Sequence, residues 1–144
     1  MPTMDFLDRC KDFGLLMLRA GIGAMFMYHG YGILFAGPLA WKQMGGSMAY
    51  IGITAAPKVF GLIAVLSEFI GGFLLILGLF FRPACTVMFF TMMVAAIMHL
   101  SRGDGLQTAS HAIELGIVFF SLIFIGEGKY ALDEYLKKFV VKGR

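Results

Sequence analysis

Apolar residues run in four long blocks separated by short polar breaks. The blocks cover about 14–36, 59–81, 83–100 and 109–126. Each comes near the ~20 residues that carry a helix across ~30 Å of hydrocarbon at ~1.5 Å per residue. None alternates strictly, as a barrel strand does. Backbone groups in lipid need internal partners, so helices are predicted. Arg82-Pro83 predicts a very tight turn between the second and third spans, with Pro83 opening a helix. A short polar turn over 101–108, with Gly103 and Gly105, separates the third from the fourth.

Two segments are of a different kind. The connection over 37–58 carries Pro38, Trp41, Tyr50 and Pro57 and is too apolar for a plain solvent loop. It is expected to lie on the membrane surface, with Trp41 and Tyr50 at headgroup level. Past Gly126, Leu132, Tyr135, Leu136, Phe139 and Val140 recur at i, i+3, i+4, i+7 and i+8. Lys137, Lys138, Lys142 and Arg144 lie among or beyond them. That pattern predicts a basic amphipathic helix on a membrane surface, within a tail over 127–142. The expected fold is all-α: one membrane domain over 1–144, a polytopic four-helix bundle with a C-terminal surface helix.

Composition agrees. Charged residues make up 15% of the 144 positions and hydrophobic ones 59%, with a mean hydropathy of +0.82. Too few polar residues remain to clothe a soluble domain, and disorder is excluded with it. A net charge of +3 gives no footing for nucleic acid. Cys10 and Cys85 form no CxxC and no disulfide framework. Asp5, Asp8 and Asp12 precede the first span and Arg19 interrupts it, so that span is expected to be an uncleaved anchor.

Four spans put both termini on one side, with the Arg82 turn. That side collects Arg9, Lys11, Arg82, Lys129, Lys137, Lys138, Lys142 and Arg144, against Lys42, Lys58 and Arg102 opposite. The positive-inside rule then places both termini in the cytoplasm.

Six ionisable residues fall within or at the edges of the spans: Arg19, His29, Glu68, His99, His111 and Glu114. Each is costly in hydrocarbon, by ~2.5–3.5 kcal/mol for a central charge, and calls for a partner or a task. With alternating helix directions, all but Arg19 fall in the outer half. They are expected to converge there if every side chain points inward. Glu68 and Glu114 are the candidate proton-exchanging, catalytic groups; Arg19, His29, His99 and His111 are the candidate ligand-binding groups. Plainer roles stand beside these. His99 and His111 have an interfacial position, where imidazole is cheap, as their alternative. Glu68 has a structural pair with Arg19 or His29 as its alternative. Arg19 either snorkels to headgroups or pairs with a carboxylate inside the bundle. Gly71-Gly72, Gly78 and Ala20-xxx-Ala24 read as close helix packing. The eleven methionines read as flexible filler or pocket lining. Tyr28, Tyr31 and Phe35 read as packing before they read as a quinone slot.

The chain resembles the DoxX-like family of small four-span bacterial membrane proteins. The matching pieces are LMLRAGIGAMFMYHG, LSEFIGGFLLILGLFFRP and GEGKYALDEYL. They carry Arg19, His29-Gly30, Glu68 with Gly71-Gly72, and a Gly126 to Asp133 ending in which Ala131 replaces a common Ser. The resemblance covers roughly residues 12 to 135 and implies residence in the bacterial cytoplasmic (inner) membrane. It also implies quinone-linked or other membrane redox chemistry alongside soluble partners.

Three functions follow as expectations. One is a quinone-linked oxidoreductase subunit. It has no CxxCH, cysteine cluster or dinucleotide fingerprint, so its electrons come from a soluble redox partner or a bound cofactor such as haem. Another is a His/Glu metal-binding site, although span four reads His-x-x-Glu and not Glu-x-x-His. The third is a non-enzymatic anchor or assembly partner for a soluble enzyme, in contact with membrane lipid and open to self-association.

Overall fold

A computed structural model describes the backbone of residues 2–142 and the side-chain environments of residues 10–139. All regular structure among them is helical: α1 (Pro2–Ala36), α2 (Pro38–Gly45), a 3-10 turn (Gly46–Ile51), α3 (Pro57–Leu77), α4 (Phe81–Arg102), α5 (Leu106–Ile125) and α6 (Leu132–Lys142). α3, α4 and α5 are each long and apolar enough to cross a membrane. α1 runs for 35 residues, its apolar stretch interrupted by Arg19 and His29.

α1 packs on α3, α3 on α4, and α4 on α5. The α1–α3 crossing is built on glycine. A Cβ on Gly72 would stand 2.6 Å from the Gly23 carbonyl oxygen, and one on Gly30 would stand 2.7 Å from the Phe69 nitrogen. Lipid offers helices no hydrophobic reason to associate, so close backbone approach and dispersion do that work. The paired glycines of α3 serve two neighbours. Gly72 faces α1, whereas Gly71 faces the Met88 side chain of α4. Ala20-xxx-Ala24 is not the contact. Ala24 is exposed, and Gly23 and Gly30, seven positions apart on one helix face, carry it instead. Phe26 and Phe119 tie α1 to α5, edge to face with centroids 5.1 Å apart. Around them Leu75, Phe81, Cys85, Met88 and Leu122 complete the core.

The turn after α3 falls earlier than Arg82-Pro83. Gly78 ends the helix at φ 64°, a left-handed conformation that favours glycine. α4 starts at Phe81, with Pro83 inside its first turn. The early start has a tertiary cause. The Phe81 amide donates to Asp133 Oδ2 at 3.1 Å, supplying the cap that α4's own sequence lacks.

The 37–58 connection is folded, not loose. α2 crosses the beginning of α3 where Gly45 and Gly61 bring the two backbones into contact, with no room for a side chain at either. Trp41 Nε1 donates to the carbonyls of Ile33 and Leu34, each at 3.2 Å. Those carbonyls end α1 and have no helical partner of their own. Tyr50 is exposed. This connection and the Gly103–Gly105 turn form one end of the molecule, here the loop end. The 126–131 segment and the α3–α4 turn form the other, the terminal end.

Candidate functional site

Glu68 lies mid-way along α3, 7% exposed. It lines a cavity of about 230 Å³ between α3 and α4. Met44, Gly45 and Met48 form its roof, Ala64 and Glu68 one wall, and Thr91, Met92 and Ala95 the other. Glu68 is the sole ionisable residue in that lining. The nearby hydroxyls are already engaged. Ser67 and Thr91 share a hydrogen bond at 2.9 Å, and Ser47 donates to the Met44 carbonyl at 2.7 Å. No hydrogen-bond or ion-pair partner for the Glu68 carboxyl exists among the described residues. A buried polar group is normally satisfied, so this one is left for an occupant of the cavity.

The cavity opens sideways. Ile63, Val87 and Phe90 belong to its lining and are exposed on the flank of the helices. A shallower groove of about 300 Å³ continues from Ile63 and Val87 toward the terminal end, past Ile70, Leu74, Phe80 and Pro83. Together they make a polar-tipped slot with an apolar track. That shape suits a small ring carrying hydrogen-bonding groups and a hydrocarbon tail.

The other candidate residues do not join Glu68. His29 is exposed on α1, stacked edge-on to Tyr28 at 5.8 Å. Tyr31 and Phe35, also exposed, stack on each other at 4.6 Å. His111 and Glu114 are exposed on α5. His99 Nδ1 lies 2.8 Å from Asp104 Oδ2, at the loop end of α4. The expected inward convergence of five groups is therefore corrected to one buried carboxyl. Helix rotation decides this: the glycine crossing on α1 and the Ala109, Ala112, Gly116 face of α5 turn the other side chains outward. Among the described residues no three of His, Cys, Asp and Glu come together as a metal site. The histidines, on separate exposed faces or tied to Asp104, do not fit a haem either.

Arg19 has a third role that neither sequence expectation named. It is fully buried and donates to two main-chain carbonyls, Nη1 to Glu127 and Nη2 to Tyr130, the latter at 2.9 Å. Its Cζ lies 5.8 Å from the centroid of the Phe81 ring, and its Nε is buried without a partner. Arg19 thus pins the 126–131 segment across the terminal end. The segment is held at other points too. Asp133 N donates to the Gly78 carbonyl at 3.0 Å, and Lys129 Nζ pairs with Asp12 Oδ2 at 3.1 Å. Lys137 bridges Glu127 and Glu134. The Lys137 hydrogen bond holds the Glu127 carboxyl below the ordinary carboxylate range. Lys129 does the same for Asp12. In return Glu127 pushes the Lys137 ammonium up to about 12.

The roles of Glu127, Asp133 and the cavity roof do not show in the local pattern, although Glu127 and Asp133 belong to the closing motif. The signals were present as Gly126-Glu127-Gly128 and as the Gly45 and Gly61 pair, but their partners lie far away in the chain.

Comparison with known proteins places the chain. A protein of Haemophilus influenzae, described only as uncharacterized, is 29% identical over 94% of this chain and all of its own. No solved structure matches. Residues 14–100, more than half of the chain and including Arg19, His29 and Glu68, match the family described as DoxX. This membrane protein belongs to the DoxX family.

Proposed function

We propose that the protein is a quinone-linked redox subunit of the bacterial cytoplasmic membrane. In this reading α1 joins α3, α4 and α5 as a fourth span, both termini are cytoplasmic, and the cavity lies in the outer half. The observation that carries the reading is the unpartnered Glu68 carboxyl at the end of an apolar slot open to the side. A quinone ring fits the cavity, and its tail follows the groove past Ile70 and Leu74. Reduction to the quinol takes up two electrons and two protons. The electrons come from a soluble redox partner. Glu68, in its acid form, hydrogen-bonds one ring oxygen and hands over one proton. The second proton comes from water at the loop end. Glu114 and the three histidines take no part in this slot.

The chain has a single tryptophan, Trp41, one helical turn from Met44 and Gly45 of the roof. Quinones quench indole emission, which gives the test. A decyl-tailed benzoquinone titrated into liposomes bearing the protein is expected to quench Trp41 saturably. Glu68→Leu should weaken that binding by about tenfold, the loss expected for one neutral hydrogen bond. Quenching that rises linearly with quinone and ignores the substitution would count against the proposal.

A second reading has its own support at the terminal end. α6 exposes Leu132, Tyr135, Leu136 and Phe139 beside Lys137 and Lys138, while the Glu127 contact anchors it. That face suits a membrane surface or a soluble enzyme, with the chain as anchor. Full activity of a co-purified partner with Glu68→Gln in place would favour this reading over the first.

A further inference from the structure

We infer that a second copy of this chain packs along α5, through a seam of Gln107, His111, Glu114, Val118, Ser121 and Ile125. The inference is independent of the cavity. α5 is one of the helices apolar and long enough to cross a membrane. It packs into its own chain through Ala109, Ala112, Gly116, Phe119 and Leu122. The seam lies on another side of the helix, with Val118 at its edge also packed against the chain's own core, and it alternates steps of four and three along the sequence. That is the 3.5-residue repeat by which one helix follows another in a left-handed pair. Gln107, His111, Glu114 and Ile125 are exposed, and Val118 and Ser121 half-buried.

Lipid cannot be what covers this face. Glu114 lies five residues into the apolar block that begins at Ala109, ~7.5 Å below its edge. A glutamate side chain is too short to reach water from there, and an ionisable group at that depth faces protein or water in a stable assembly. Neither His111 nor Glu114 has a hydrogen-bond or ion-pair partner among the described residues.

Charge complementarity identifies the occupant. Copies inserted with the same orientation are related by a two-fold axis along the bilayer normal, so equivalent residues sit at equal depth. Glu114 of one copy then faces Glu114 of the other at equal depth, and each also meets the other copy's His111 one turn away, ~4.5 Å along the axis, so the two imidazoles offset the two carboxyls. The symmetry makes this contact twice. The seam therefore carries its own acid and its own base in the register that a self-pair needs. Its serine adds little bulk, since Ser121 Oγ already bonds back to the Ile117 carbonyl at 2.8 Å.

Disulfide trapping in native membranes tests this. Cys10→Ser and Cys85→Ala clear the background, and single cysteines are placed at Val118, Ile125 or Phe120. His111 and Glu114 stay intact in these variants, so folding does not depend on losing them. Dimers are expected from Val118→Cys and Ile125→Cys. None is expected from Phe120→Cys, because Phe120 points to the α4 side, against Phe89. Glu114→Ala should cut the trapped fraction at least fivefold, and His111→Glu combined with Glu114→His should restore it. A chain that stays monomeric, dimers forming equally at Phe120, or trapping to a different polypeptide would each overturn the inference.

Discussion

The Arg19 guanidinium binds the main-chain carbonyl of Glu127, while the Glu127 carboxylate turns away to Lys137. A cation and an anion 108 positions apart thus share one small region without forming the salt bridge that their types invite. The charge of Arg19 is spent on peptide carbonyls and on the face of Phe81. That geometry fastens α1 to the 126–131 segment and leaves Glu127 free to hold α6.

Arg19→Ala removes both hydrogen bonds, leaving the Glu127 carbonyl buried and unsatisfied and the half-buried Tyr130 carbonyl without its donor. Stability is expected to fall by about 2–5 kcal/mol. Arg19→Lys keeps the charge but not the fork, and should recover only part of it. Detergent unfolding curves check this, and equal loss in both variants would argue against the fork.

Gly72→Ala puts a methyl group 2.6 Å from the Gly23 carbonyl oxygen. α1 and α3 must part to admit it, at about 1–3 kcal/mol. Gly21→Ala, where added bulk meets open space, should be neutral. Thermal melts of the two variants side by side test whether the crossing is as tight as described.

Asp133→Asn keeps the shape of the tertiary cap on Phe81 but removes its charge, and Asp133→Ala removes the cap altogether. Alanine is expected to cost about 1 kcal/mol and asparagine less. Hydrogen exchange at the Phe81 amide should rise in the same order.

The tether between Glu127 and Lys137 predicts a pH window. The Glu127 carboxyl titrates below its ordinary value, so its contribution is present at neutral pH and fades as pH falls through that lowered value. Lys137 titrates above its ordinary value, at about 12, so its contribution is whole below ~10 and fades as pH rises toward 12. α6 should stay docked between these limits and loosen outside them. A spin label on Phe139→Cys would report the loosening. Glu127→Gln should abolish the acid limb.

Much of this protein was legible from order and composition alone. Four apolar blocks near span length predict helices, because backbone groups in lipid must bond within their own segment. The place of Glu68 in the middle of an apolar span marked it as unusual, and it is the ionisable residue that lines the cavity. Other features needed the tertiary structure. Whether His29, His111 and Glu114 face the interior depends on helix rotation, and one residue turns a side chain by ~100°. That rotation is set by where glycines let two backbones touch: Gly23 on Gly72, and Gly45 on Gly61. Arg19, Glu127 and Asp133 found their partners across more than fifty positions, beyond any local pattern. Sequence determined which segments are helical and apolar, since that depends on neighbours along the chain. The fold decided which polar groups are enclosed, since that depends on which faces meet.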